Sequence, residues 1–305
     1  MTMDPFGKIA IIGLGLIGSS IAHAARRGIL AREIVGFDAS ADVRTRAATL
    51  GFCDAVAEDS GSAVADAELV VLCVPVGACG PVAQAIAPYL KTGAILSDVG
   101  SVKCAVIRDM APHVPAGVHF IPAHPIAGTE FSGPEAGFAS LFDNRWAILT
   151  PLPGADPGAV ARLKGFWQGL GSQVDAMDAT HHDLVLAITS HLPHLIAYNI
   201  VGTAHDLETV TEGEVIKYSA GGFRDFTRIA ASDPTMWRDV FLNNKDAVME
   251  VLGRFNEDLA VLQRAIRNGD GDKLYEFFTR TRAIRRAIID MGQESAAPNF
   301  GRDQN

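Results

Sequence analysis

Basic residues are in the minority in this 305-residue chain: 26 Lys and Arg face 35 Asp and Glu, for a formal net charge of −9. No run of cationic side chains interrupts that average, which argues against a nucleic-acid partner. An anionic ligand would need a local cationic pocket. Cysteine is scarce as well. Cys53, Cys73, Cys79 and Cys104 show neither the paired spacing of a metal site nor the regular intervals of a disulfide framework, so reduced thiols and a cytoplasmic protein are expected. Residues 1–7 are too few and too polar for a signal peptide. No apolar run approaches the roughly 18 residues of a bilayer span, so no membrane partner is expected.

What the chain has in quantity is apolar side chain, 48% of residues, enough for a large core, and its length suggests two domains. Residues 8–12 form a β-branched strand that runs into Gly13-Leu14-Gly15-Leu16-Ile17-Gly18, followed by a small-residue helix over 19–28 and a second strand that ends in Asp38. The twenty residues from Gly18 to Asp38 match the spacing of a dinucleotide-binding unit. There Gly13 permits the tight turn, Gly15 lets a pyrophosphate approach the backbone, and Gly18 lets helix pack on strand, with free amides at the helix start. Asp38 would accept from the adenosine ribose hydroxyls and repel a 2′-phosphate. No arginine follows it at once, so NAD is expected over NADP. Capping of a helix that begins near Ser40 is compatible with the same position.

The alternation continues with an apolar strand over 69–74, closed by Val74 and Pro75, and another over 94–99 that leads into Gly100-Ser101-Val102-Lys103. Strand ends of this kind face the cofactor. Ser101 there is a ligand-facing hydroxyl, the N-cap of the next helix, or both. Further strands over 145–151 and 173–177 flank a helix over 157–170. From Thr180 to about Met291 the apolar residues keep helical spacing instead. The expected fold is α/β: a Rossmann-type dinucleotide-binding domain with a mostly parallel sheet over 1–178, then an all-α domain over 179–305 for substrate binding and dimerisation.

The chemistry is expected around residues 118–131. An apolar strand ends there in His124, held between Pro122 and Pro125 and opening at Gly128. A lone histidine beside proline more often satisfies a loop hydrogen bond; the nucleotide signature upstream and the histidines and arginines downstream reverse those odds. Pro193 should kink its helix between His191 and His194 and free backbone groups there. A zinc site would need a third ligand that does not stand out, so no metal is expected. His181 and His182 read as core or capping residues. Arg224 and Arg228 stand four apart beside Asp225 among Phe223, Phe226 and Ile229. One suits an ion pair and the other a ligand carboxylate, which the planar guanidinium fork matches with two parallel hydrogen bonds; a solvated, salt-bridged face is the alternative. The helices over 246–267 and 272–291 read as core or subunit interface, and the tail after Gln293 reads as loose.

Taken in order, Gly13-x-Gly15-x-x-Gly18, Asp98-Val-Gly-Ser101-Val-Lys103, His124-Pro-Ile-Ala-Gly-Thr129-Glu130, Ser190-His-Leu-Pro-His194 and Gly221-Gly-Phe-Arg224-Asp-Phe-Thr-Arg228 closely resemble the prephenate and arogenate dehydrogenase family of tyrosine biosynthesis. The resemblance spans nearly the whole chain. It implies oxidative decarboxylation of prephenate or arogenate: hydride passes to NAD from the carbon bearing the ring hydroxyl, carbon dioxide leaves, and the ring becomes aromatic. It further implies that His124 is the general base at that hydroxyl, that Ser101 holds its imidazole, and that Arg228 binds the ring carboxylate. His194, Thr129, Arg224 and Trp237 would shape the rest of the pocket, in a homodimer joined through the helical half. The family often carries a chorismate mutase domain or a regulatory domain; room for neither is expected here, so feedback by tyrosine would act at the active site. Ser219-Ala220-Gly221-Gly222 stands where some relatives have three glycines. The rival β-hydroxyacid dehydrogenases need a lysine on the first long helix of the second domain, and residues 180–201 contain none. A silent NAD-binding sensor would not need His124, Ser101, Arg228 and His194 together.

Overall fold

The computed structural model describes residues 4–129, 131–208, 218 and 221–290. Glu130, Ser219, Ala220 and the tail beyond Gln293, all of which drew expectations above, lie outside the described residues. Contacts divide the chain into two units, residues 1–248 and residues 249–305.

In the first unit, β1 (Phe6–Ile12), β2 (Ala31–Phe37), β3 (Ala55–Val56), β4 (Leu69–Leu72), β5 (Ile95–Asp98) and β6 (His119–Phe120) form one sheet in the order β3-β2-β1-β4-β5-β6. Every pairing is parallel. Helices α1 (Leu16–Arg27), α2 (Ala41–Leu50), α3 (Ser60–Val64), α4 (Cys79–Ile86) and α5 (Lys103–Met110) alternate with these strands. Parallel strands covered on both faces need apolar side chains on both, and β1 supplies them by simple alternation. Ile9 and Ile11 enter one core with Ile21, Phe166 and Trp167; Ala10 and Ile12 enter the other with Val70, Leu72, Val106 and Trp237. The strand order reverses between β1 and β4, and a ligand is expected at the carboxyl ends on either side of that point.

The strands after β6 form a separate three-stranded sheet of β7 (Ala123–Pro125), β8 (Trp146–Leu149) and β9 (Gln173–Ala176). β7 is antiparallel to β8, and β8 is parallel to β9. α6 (Pro157–Gly169) covers them with Leu163, Phe166 and Trp167.

Next come α7 (Ala179–Leu186), a π-helical turn Ala187–His191, α8 (Leu192–Glu208), α9 (Gly221–Thr227), a 3-10 turn Arg228–Ala231 and α10 (Pro234–Asn243). Asp178 starts α7 by accepting the amides of Thr180 and His181 at 2.8 and 3.2 Å. The wide turn falls immediately before Pro193, which has no N–H with which to continue the regular ladder. Ala179–Leu207 is nonetheless one helical stretch of 29 residues, with an 18-residue window of mean hydropathy 1.5 that is 28% buried. This corrects the expectation that no apolar segment approaches bilayer-spanning length. A short polar stretch, Thr189-Ser190-His191, interrupts the apolar run and leaves its average high. The second unit continues α11 (Lys245–Arg267), which begins in the first, and adds α12 (Gly271–Asp290). Leu259, Tyr275, Phe278 and Ile284 are more than half exposed on these two helices.

Candidate active site

The loop between β1 and α1 is built as a cradle for an anionic ligand. Gly13 has φ +101, and a Cβ on it would lie 2.3 Å from the Cys73 carbonyl oxygen; a Cβ on Gly18 would lie 1.9 Å from the Gly13 oxygen. Only glycine fits either place, so α1 packs directly on the turn. Leu14 is buried beneath the loop, Leu16 and Ile17 are half-buried, and Gly15 stands at the N-cap with no side chain over the first free amides. The space above Gly15 is open, with nothing within 4 Å of where its Cβ would be. Val74 and Pro75 follow β4 on the neighbouring strand end. These features fit a dinucleotide pyrophosphate.

Asp38 ties the cradle to β2: one carboxylate oxygen accepts the Leu14 amide at 2.9 Å and the other accepts the Ser40 amide at 2.9 Å. The cap of α2 is Ser40 itself, whose hydroxyl accepts from Val43. Asp38 is thus not the helix cap. Arg44, missed in the sequence because it comes six residues later, lies over the Phe37 ring at 5.6 Å and donates to the Asp38 carbonyl at 2.9 Å.

His124 sits on β7, which packs against β5, with 8% of its surface exposed. Its Nδ1 is 2.9 Å from Nε2 of His182, and Nδ1 of His182 is 2.8 Å from Oδ1 of Asp183. Asp183 also accepts the Lys103 amide at 2.7 Å and the Cys104 amide at 2.9 Å, so it caps α5 from another helix. That corrects the expected N-cap. Val102 occupies the capping position with no side-chain bond, because the Asp183 carboxylate already satisfies the first amides of α5. The ring of His124 is held at Nδ1 by His182, whereas the half-buried Ser101 makes no side-chain hydrogen bond among the described residues.

Beneath His124 lies a buried ion pair, Lys103 with Asp98, both fully buried. Lys103 also donates to the Ala123 carbonyl at 2.6 Å, and Asp98 accepts the amides of Gly100 and Ala123 at 2.7 and 3.3 Å. The residue before His124 is therefore clamped through both backbone groups. Burial holds His124 well below its ordinary pKa, with His182, Lys103 and His191 adding to the effect. Burial also lowers His182, against the opposing pull of Asp183. For Asp183, burial acts to raise the pKa, but the hydrogen bonds from His182 and the two α5 amides outweigh it and leave the carboxyl below its usual range. The line is a neutral base backed by a neutral imidazole and an ionised carboxylate.

The remaining candidates gather beside it. His194 stacks on Trp237, ring centroids 3.7 Å apart, and its Nδ1 donates to the Ser190 carbonyl at 2.8 Å. Its pKa is lowered by burial and then by the nearby Arg228. Tyr198 fixes the Arg228–Ala231 turn by donating to the Ser232 carbonyl at 2.7 Å. His191 lies between the two groups. Its Nδ1 is 3.0 Å from Asn244 Nδ2, which also donates to the Asp183 carbonyl at 2.8 Å, and burial pushes its pKa down to about 4. His191 Nε2 and Trp237 Nε1 are buried without a partner among the described residues. Two of the expected residues stay outside this cluster. Arg224, with its side chain 79% exposed, pairs with Asp225 at 3.7 Å, and Thr129 accepts the Phe131 amide at 3.2 Å.

Comparison with known proteins gives one consistent picture. Residues 21–176 match the model of the prephenate dehydrogenase nucleotide-binding domain, and residues 178–280 match the prephenate dehydrogenase dimerization domain. The chain is 46% identical over 286 residues to cyclohexadienyl dehydrogenase of Zymomonas mobilis, covering 94% of this chain and 97% of that one. It is 33% identical to prephenate dehydrogenase of Bacillus subtilis, covering 96% and 78%. The crystal structure of prephenate dehydrogenase from A. aeolicus with hydroxyphenyl propionate and NAD+ superposes with a TM-score of 0.86 at 33% identity, covering 92% and 98%.

Proposed function

This chain belongs to the prephenate dehydrogenase family, and from that membership we propose how its own residues carry out the reaction. It is an NAD-dependent oxidoreductase of tyrosine biosynthesis that oxidises and decarboxylates prephenate, arogenate or both. NAD, when bound, accepts the hydride from the carbon bearing the ring hydroxyl. The cradle of Gly13, Leu14, Gly15, Leu16, Ile17 and Gly18, with Asp38, Val74 and Pro75, would hold it. His124 takes the hydroxyl proton, since hydride leaves more readily as its carbon's hydroxyl ionises. The observation that carries this reading is the buried line His124–His182–Asp183, which keeps the imidazole neutral and oriented, with the residue before it bonded to Asp98 at the carboxyl end of β5. Arg228 would clamp the ring carboxylate beside His194 and Trp237 and Ser101 would face the ligand, while Thr129 and Arg224, which stand outside this cluster, would meet the ligand only at the rim of the pocket.

Steady-state kinetics with prephenate and arogenate, each paired with NAD and NADP, tests this directly. NADH formation with at least one substrate is expected, with NAD preferred; no turnover with either would reject the reading, and a strong preference for NADP would reject the role given to Asp38. Arg228→Ala should raise the Michaelis constant tenfold or more, about 1.4 kcal/mol or more, and leave kcat within a few-fold. A fall in kcat at unchanged Michaelis constant would remove Arg228 from the carboxylate site.

We further infer a functional boundary near Asp178, where α7 starts, and a homodimer through the helical half. Ile188, Ile200, Val201 and Leu207 are exposed along Ala179–Leu207, an apolar surface that a second copy would cover. Light scattering should give twice the chain mass; a monomer at micromolar concentration would refute the dimer.

A further inference from the structure

The geometry points to a second proton carrier: we propose that His182 takes the Nδ1 proton of His124 as His124 takes the hydroxyl proton of the substrate, with Asp183 balancing the charge. This rests on the reading of His124 as the base.

The direction of each hydrogen bond is forced. Both oxygens of Asp183 face backbone amides, of Lys103 and Cys104, which can only donate. The carboxylate is therefore the acceptor towards His182 as well, and His182 donates from Nδ1. In the neutral ring the opposite nitrogen, Nε2, then carries a lone pair, and it accepts from Nδ1 of His124. The proton of neutral His124 is thereby fixed on Nδ1, and the lone pair of Nε2 is the one left for the substrate. A carboxylate two residues removed selects which nitrogen is the base.

Charge then decides where a captured proton rests. The groups facing the two rings are Asp183 and His191 from the helical segment, Asp98 from β5 and Lys103 from α5. Every one that acts on His124 disfavours its protonated form. Of the two rings, only His182 has carboxylates working in its favour, Asp183 by hydrogen bond and charge and Asp98 by charge. A cation is better placed on His182.

The proton balance closes without a further reactant. The substrate carboxylate leaves as neutral carbon dioxide, and the ring oxygen ends as a phenol that keeps its hydrogen, so no proton is left over. The substrate O–H breaks as Nε2–H of His124 forms, and Nδ1–H of His124 breaks as Nε2–H of His182 forms. When the electron pair of the broken carbon–carboxylate bond enters the ring, the oxygen recovers its proton from Nε2 and His124 recovers Nδ1–H from His182. The relay lends charge stabilisation for one step and resets itself.

His182→Gln separates carriage from positioning. The glutamine oxygen can accept from His124 and its amide can donate to Asp183, but it cannot take up a proton. With substrate deuterated at the hydroxyl-bearing carbon to report the chemical step, kcat should fall by about a hundredfold, the lower end of what a general acid or base contributes. The Michaelis constant should hold within a few-fold, and the solvent isotope effect should shrink from a two-proton to a one-proton inventory. Unchanged kcat and inventory would overturn the relay. Nitrogen-15 NMR of the ligand-free wild-type enzyme gives a second measurement that needs neither turnover nor a folded variant. It should show hydrogen on Nδ1 and a lone pair on Nε2 of His124, and the opposite tautomer would overturn the proposal. Wild-type enzyme that turns over neither substrate yet shows this tautomer would instead reject the function.

Discussion

His124→Asn should lower kcat by about 10²- to 10⁴-fold, the range expected for loss of a positioned general base, with the Michaelis constant within a few-fold of wild type. The asparagine amide can occupy the place of Nδ1 and donate to His182, so the local packing and the line to Asp183 are kept. What disappears is the proton acceptor at the position of Nε2. Because burial, His182, Lys103 and His191 hold His124 below the ordinary imidazole range, its neutral form persists as pH falls through about 6.5, and protonation removes activity only below that point. The wild-type rate should therefore show its acid limb on the acidic side of a free histidine. The asparagine variant should lack that limb, having no proton to gain there. A variant that loses substrate affinity while keeping kcat would show that His124 binds substrate and does not take its proton.

How far the sequence could be read depends on whether the informative contacts are local. The turn at Gly13, the packing at Gly18 and the carboxylate at Asp38 are backbone demands that particular residue types answer, so the nucleotide half was legible letter by letter. His124 announced itself by the prolines beside it. His182 did not, although it holds the ring of His124 from 58 residues away. Adjacent helical residues point about 100° apart, so only one of His181 and His182 can face inward. His181 is exposed and His182 is buried, a choice made by the register of α7 on α5 that the letters alone leave open. The same register brings Asp183 onto the start of α5 and displaces the expected capping role of Ser101. Lys103 and Asp98 stood in a motif without an assigned part for a related reason: a charged pair reveals its importance through burial, and nothing in the order of residues 98–103 says that both side chains lie inside.

That buried pair supports the second large effect: Lys103→Met should destabilise the protein by about 3–5 kcal/mol, as expected when one partner of a buried pair is removed and the other charge stays. Methionine fills most of the volume, so cavity formation contributes little. The loss comes from Asp98, left with only amide donors, and from the Ala123 carbonyl, which loses its bond from Nζ. Urea unfolding monitored by circular dichroism measures the change, and a difference below about 1 kcal/mol would mean that the pair is dispensable. Adding Asp98→Asn to Lys103→Met should recover part of the loss, because the neutral amide no longer carries an uncompensated charge. Strict additivity would place the effect outside the pair. The two substitutions also separate stability from chemistry. Lys103 lowers the pKa of both His124 and His182, so in the folded fraction of Lys103→Met each imidazole becomes more basic. The acid limb of the rate should move to higher pH in this variant while the protein becomes easier to unfold. A purely structural lysine would give the second change without the first.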